Sequence, residues 1–361
     1  MSLLYTDVED ALRTSVRAAL SDHCGWTRVL ARVEGAEPGD RSLWRLLAGE
    51  LGVAALAVPE KAGGAGAGWS EVAVVLEELG RFVAPVPFLG SAVVATRALL
   101  FLDATGPLAD LAGGERTAAL AVPFSTPPGS AADPQWTVEV DRDGRLAGTV
   151  TSVADALTAD LLLVPTAAGL YAVDTAGPGT RRQPVPSLDP TRPLCDVILA
   201  GADGELLGPA EEAVDAALLT GGALLASEQL GVASWCLDST VEYLRNRYQF
   251  GRPVGSFQAL KHRLADLWVA VTEARAVARH AAGLAGRVDR EARIAAALAQ
   301  AHCGEVALRA AEDCVQLHGG IGFTWEHPTH LYLKRAKSTS LAFGTADRHR
   351  SALASLVDLP G

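Results

Sequence analysis

The sequence predicts an α+β multidomain protein in three parts. These are an N-terminal α-helical domain over residues 1–116, a middle antiparallel β-domain over 117–208, and a C-terminal domain built as a four-helix bundle over 209–361. Two changes of texture predict it: helical apolar spacing gives way near Thr117 to short apolar runs, and it returns in long stretches after Pro209. Length agrees, since 361 residues hold two or three domains at roughly 150 residues each.

The first hundred residues read as helices over Val8–Leu20, Ser42–Leu51 and Trp69–Leu79, broken by glycine loops. The run Gly63-Gly64-Ala65-Gly66-Ala67-Gly68 has no strand leading into it and no acid at the required distance beyond, so it reads as a flexible turn, not a dinucleotide loop. Strands follow at Ala118–Val122, Trp136–Val140, Leu146–Val150, Leu161–Val164 and Leu170–Val173. Asp141-Arg142-Asp143-Gly144 serves as a hairpin turn. Beyond Pro209, amphipathic helices run over Ala213–Tyr248, Ser256–Leu284 and Glu291–Leu317, and short loops between long helices make an up-down bundle.

Composition removes several classes of function. Hydrophobic residues make up 49% of the chain and charged residues 20%, far from the signature of disorder. The net charge of −11 repels phosphodiester backbones and anionic lipid, so neither nucleic acid nor a membrane surface is an expected partner. Five scattered cysteines without metal spacing argue against a disulfide or zinc framework and fit a reducing cytoplasm. The acidic start MSLLYTDVEDALRT has no secretory character, and no uninterrupted run of about 20 apolar residues is present to span a bilayer, so a soluble protein is expected.

Chemistry concentrates in three segments. Arg245-Asn246-Arg247-Tyr248-Gln249-Phe250-Gly251-Arg252-Pro253-Val254-Gly255-Ser256-Phe257-Gln258 puts three arginines beside a helix end and the start of the next helix, which favours an anion. A solvated basic terminus is the plainer reading of that segment alone. Gln316-Leu317-His318-Gly319-Gly320-Ile321-Gly322-Phe323-Thr324 adds glycines able to approach a ligand closely, and Phe343-Gly344-Thr345-Ala346-Asp347 forms a third turn before a short helix.

Together these segments resemble the acyl-CoA dehydrogenase family, at that family's spacing, and the α/β/α layout agrees across the chain. The resemblance implies FAD as cofactor and an acyl-CoA thioester as substrate. The implied reaction is α,β-dehydrogenation, with a base taking the α-proton and the β-hydrogen leaving as hydride. It implies that Arg247, Phe250, Val254 and Gln258, with Gln316, Gly319 and Gly320, hold the FAD of a neighbouring subunit in a tetramer. Thr345 and Asp347 would contact FAD of their own subunit.

The resemblance breaks where the reaction needs it most. Phe343 stands where many members carry the glutamate base, and Thr220-Gly221-Gly222 offers no carboxylate at the alternative position. Glu228 is a weak candidate further along that helix, where a structural acid is the better expectation. The family's T-E-P-x-x-G-S-D-like strand survives only as an echo in Ala121–Ser130. Retained groups for a neighbour's flavin beside an eroded own site imply the FAD-pocket-completing subunit of a heterotetramer with a base-bearing homologue. Bacterial members of that kind include ones associated with sterol side-chain breakdown. The alternatives are a homo-oligomeric dehydrogenase, a structural or regulatory partner of the same fold, or a flavin monooxygenase.

Other residues read more plainly. His327-Pro328-Thr329-His330 is a loop and not a metal pair, and no metal is expected. Lys334-Arg335-Lys337 reads as a solvated helix face, with a phosphate contact as the less favoured role. Trp44, Trp69, Trp235 and Trp268 read as core.

Overall fold

The computed structural model describes residues 3–35, 37–130 and 135–358, so Met1 and Ser2 of the acidic N-terminal stretch lie outside it. Helix α1 (Asp7–His23) opens on a capping box in which the Thr6 hydroxyl accepts from the Glu9 amide and the Glu9 carboxylate accepts from the Thr6 amide. There follow α2 (Trp26–Glu34), which the apolar spacing had not revealed, α3 (Arg41–Arg45), α4 (Trp69–Arg81), α5 (Thr96–Phe101) and α6 (Thr105–Ala112). The stretch Leu46–Glu50 after α3 and the stretch Phe88–Ala95 before α5 are π-helical. The glycine run at 63–68 is a turn, as expected, with Gly63 and Gly66 at positive φ. The amides of Ala65, Gly66 and Ala67 donate to the carbonyls of Ala55, Val58 and Leu56, which fastens it to the preceding segment.

Among the described residues the middle region holds two four-stranded sheets. One contains β1 (Ala118–Leu120), β4 (Leu161–Thr166), β5 (Gly169–Asp174) and β8 (Glu205–Gly208). The other contains β2 (Val138–Val140), β3 (Leu146–Ala154), β7 (Leu194–Ala202) and β6 (Thr180–Val185). The expectation of antiparallel pairing needs one correction, because β1 and β4 pair in parallel, Ala118 opposite Leu161. They can do so because the β2–β3 hairpin and the loop before β4 form the long crossover that parallel strands require. The hairpin turn falls at Asp141–Gly144, where the Asp141 carboxylate accepts from the amides of Asp143 and Arg145. Leu162, Val164, Val197 and Leu199 lie between the sheets in a second core of their own.

The C-terminal region is built on α7 (Ala210–Asn246), with α8 (Gln258–Leu284), α9 (Arg290–His318), α10 (Thr329–Thr339) and α11 (Ala346–Leu356). Helix α7 is long and apolar enough to cross a membrane by length and composition alone, yet its apolar window is wholly buried within the protein. It is the axis of the bundle, packed by α4, α8 and α9. Two glycines allow α4 to come close. A Cβ on Gly231 would lie 2.0 Å from the Glu77 carbonyl oxygen, and one on Gly80 would lie 2.1 Å from that of Glu228. Trp44 is core as expected, whereas Trp268 is 60% exposed. All five cysteines are buried free thiols.

Candidate functional site

The first two motif segments meet at one end of α7. Arg247 ends that helix, and its carbonyl accepts from the Val254 amide (2.7 Å) across a tight hairpin, β9 (Tyr248–Gln249) and β10 (Arg252–Pro253). Phe250 at the tip, with φ of +53°, is 91% exposed. Helix α8 then starts at Gln258 without a side-chain cap, so its first amides are free to face an anion. The second segment closes α9, whose last residue, His318, stacks its ring on Tyr243 in the final turn of α7 at 4.5 Å. Gln316, Gly319 and Gly320 are exposed there, and a Cβ on either glycine would meet open space.

The third segment lies far from these. Phe343 reaches Gly221, where a Cβ would come 3.0 Å from its ring. Gly221 and Arg247 are 26 residues apart on α7, about 39 Å at 1.5 Å per residue. Thr345 caps α11 by accepting from the Arg348 amide (3.4 Å), and Asp347 pairs with Arg350 (2.9 Å). Both residues therefore have local roles at that helix start.

Around Phe343 the position is filled with apolar groups. Its amide donates to the Phe124 carbonyl (2.9 Å), and the two rings meet edge to face at 5.6 Å. The turn after Phe124 brings Pro128 over Gly222 and Pro127 against Gly344. Asp215 holds this turn, accepting from the Gly129 amide (2.7 Å) and pairing with Arg293. Between the middle region and α7 lies an outer cavity of about 280 Å³ bounded by Thr126, Trp136, Thr149 and Leu218. An inner cleft of about 30 Å³ is bounded by Leu89, Phe124, Asp155 and Phe343. Val122, Pro123 and Leu218 border both.

Glu228 is not available as a base. It is 1% exposed, and its carboxylate receives Arg192 through both terminal nitrogens (3.0 and 2.7 Å) and Arg335 through one (2.8 Å). Burial pushes its carboxyl up, but Arg192 and Arg335 outweigh burial and hold it down at about 2. Arg335 also donates to Asp189 (2.6 Å) and Thr191 (2.6 Å). The expected solvated face of Lys334-Arg335-Lys337 is corrected accordingly, since Arg335 is 1% exposed and joins α10, α7 and the loop before β7. The cluster of Asp189, Arg192, Glu228 and Arg335 could not be seen in the sequence, because its members come from three segments far apart along the chain.

The residues at the α7–α9 end suit the pyrophosphate of FAD. They comprise exposed arginines, an uncapped helix N-terminus and glycines with open space. The Phe124 and Phe343 rings occupy the other end, and no carboxylate stands at Phe343.

Comparison with known proteins agrees with this architecture. The N-terminal domain of acyl-CoA dehydrogenases matches residues 6–102 and their C-terminal domain matches residues 212–357. The chain belongs to the acyl-CoA dehydrogenase family, a family of oxidoreductases. It is 37% identical to the acyl-CoA dehydrogenase IpdE2 of Mycolicibacterium smegmatis over 339 residues, 94% of this chain and 95% of that protein. The ChsE4-ChsE5 complex from Mycobacterium tuberculosis superposes with a TM-score of 0.88 at 30% identity, covering both chains completely. The Tcur3481-Tcur3483 steroid ACAD gives 0.85 at 30% identity, covering 98% of each chain.

Proposed function

We propose that this chain is the FAD-pocket-completing subunit of a hetero-oligomeric acyl-CoA dehydrogenase, lending Arg247, Gln258, Gly319 and Gly320 to a flavin seated mainly in a base-bearing homologue. One observation carries the reading. The groups suited to a pyrophosphate and the position of the missing base lie about 39 Å apart along α7, so the two ends of this chain face different sites. At one end the donors are exposed, and at the other Phe343 is packed on Phe124.

Bound FAD would supply the hydride acceptor for α,β-dehydrogenation of an acyl-CoA thioester. Arg247 would neutralise pyrophosphate charge, the first amides of α8 would donate to its oxygens, and the backbone at Gly319–Gly320 would lie close along it. The proton would be taken by the partner, because Phe343 cannot accept one and Glu228 is locked between two arginines. Likeness to the Tcur3481-Tcur3483 steroid ACAD and to the ChsE4-ChsE5 complex supports a steroid-derived acyl group and a heteromeric assembly.

The test is the visible spectrum of the purified chain, alone and co-expressed with a base-bearing homologue. A colourless chain that gains flavin and acyl-CoA-dependent bleaching only in the complex is the expected result. One flavin per isolated chain that bleaches with acyl-CoA overturns the proposal, and flavin that does not bleach supports the non-dehydrogenase alternative instead.

A further inference from the structure

Two of the five buried thiols lie against each other. Cys236 on α7 and Cys314 on α9 meet where those helices pack, both fully buried, with their side chains hydrogen-bonded. A base stands beside them. His318 Nδ1 lies 3.6 Å from the Cys314 Sγ and donates to the Cys314 carbonyl (2.7 Å), while its ring stacks on Tyr243 and meets that of His327. Thr240 adjoins the pair, its hydroxyl donating to the Cys236 carbonyl (2.6 Å). The other thiols are solitary. Cys24 points at the Phe82 carbonyl, Cys303 at that of Ala274, and Cys195 sits in the core between the sheets.

The surroundings give the two sulfurs different roles. Burial alone raises a thiol, and it takes Cys24 and Cys303 up to about 12 and Cys195 up to about 11. Cys314 moves the other way, because the bonds from Cys236 and His318 hold it below the ordinary thiol range against the same burial. Burial lowers His318, and Cys314 outweighs it and raises the ring in return. Cys236 rises with burial and with its bond to Cys314, so it keeps its proton. One sulfur is thus prepared as a thiolate nucleophile, with a second thiol in contact to resolve what it forms. Position supplies access. Cys314 lies in the last turn of α9, which runs into the exposed Gly319 and Gly320, and helix ends open at little cost.

We propose that Cys236 and Cys314 form an oxidation site for hydrogen peroxide, closing to a disulfide that ties α7 to α9. The Cys314 sulfur attacks a peroxide oxygen and the O–O bond breaks, and hydroxide leaves as water with the proton that Cys314 had passed to His318. Cys236 then attacks the sulfenic sulfur of Cys314. The S–O bond breaks, hydroxide leaves as water with the Cys236 proton, and the S–S bond forms. One peroxide is reduced to two waters, and each sulfur gives up one electron. The site uses neither flavin nor partner subunit, so it stands or falls separately from the proposed function.

The test treats the full chain with hydrogen peroxide, alkylates the remaining thiols in denaturant and maps the peptides by mass spectrometry. The expected product is a cross-link between Cys236 and Cys314, lighter by two hydrogens and reversed by dithiothreitol. It should form about tenfold faster than Cys24, Cys195 or Cys303 is oxidised, since the thiolate is the form that attacks. In Cys236→Ser the cross-link should vanish, and dimedone should instead trap a sulfenic acid on Cys314. Should that variant fail to fold, the wild-type peptide map decides the matter by itself. Absence of the cross-link, equal oxidation of all five thiols, or a Cys314 that dimedone does not label in folded Cys236→Ser would overturn the proposal.

Discussion

Arg192 and Glu228 meet side by side, two nitrogens on two oxygens at 3.0 and 2.7 Å, in a place that water does not reach. The pair joins the loop before β7 to the middle of α7 and so pins the β-region onto the bundle. Removing one member of such a pair leaves a buried charge and costs about 3–5 kcal/mol. Glu228→Gln is therefore expected to lower the unfolding midpoint sharply, while activity per folded complex stays near wild type. A large loss of turnover with unchanged thermal stability would show that Glu228 does chemistry after all.

The same pair sets an acid limit. Glu228 is held down from 4.5 to about 2 in the folded chain, so its contribution to stability is complete above about 4.5 and drains away as pH falls toward 2. Denaturant unfolding followed between pH 5 and pH 2 should show this slope in the wild type and a shallower one in Glu228→Gln.

Phe343→Ala removes a ring that is 4% exposed and packed on Phe124. The expected cost is about 3–5 kcal/mol, read by chemical denaturation. With the base-bearing partner present, acyl-CoA turnover per bound flavin should change less than twofold, because the ring lies at the far end of α7 from the donated groups.

Arg247→Ala should do the reverse. The side chain is exposed, so the melting temperature of the isolated chain should be nearly unchanged. Flavin retention by the complex should fall about ten- to hundredfold, the scale of a lost charge-assisted hydrogen bond. Equilibrium dialysis of the complex measures it.

Gly231→Ala should destabilise the chain, since its Cβ would stand 2.0 Å from the Glu77 carbonyl oxygen and α4 must move away. Overpacking of this kind costs about 1–3 kcal/mol or more. Gly49→Ala in the helical stretch Leu46–Glu50, where a Cβ meets open space, should instead stabilise by about 0.5–1 kcal/mol. Thermal melts of the two variants should move in opposite directions.

Much of the architecture is legible from periodicity. The spacing over Glu291–Leu317 finds α9 to within a residue at each end, because a long amphipathic pattern resists local ambiguity. The run to Tyr248 overshoots α7 by two residues, since hairpin pairing with Pro253 takes Tyr248 out of the helix. The motif segments can be read because each is contiguous, and Tyr243 against His318 shows how two of them come to lie together. Arg335 illustrates what cannot be read. Between Lys334 and Lys337 it looks solvated, and only Asp189 and Glu228, 146 and 107 positions away, reveal that it is buried. Trp268 errs the other way, an apolar side chain on a helix face that this chain does not cover.

Helix α7 carries, on one unbroken rod, Leu218 at the cleft, Glu228 in the ion cluster and Gly231 at the crossing with α4, and it ends against Arg247. One residue added or lost between Gly231 and Arg247 would turn everything beyond it by about 100° and slide it by about 1.5 Å, while the glycine crossing holds the rest still. The stretch should therefore accept substitutions freely at its exposed positions yet forbid insertions and deletions, so descendants of this gene can drift there in spelling but not in length.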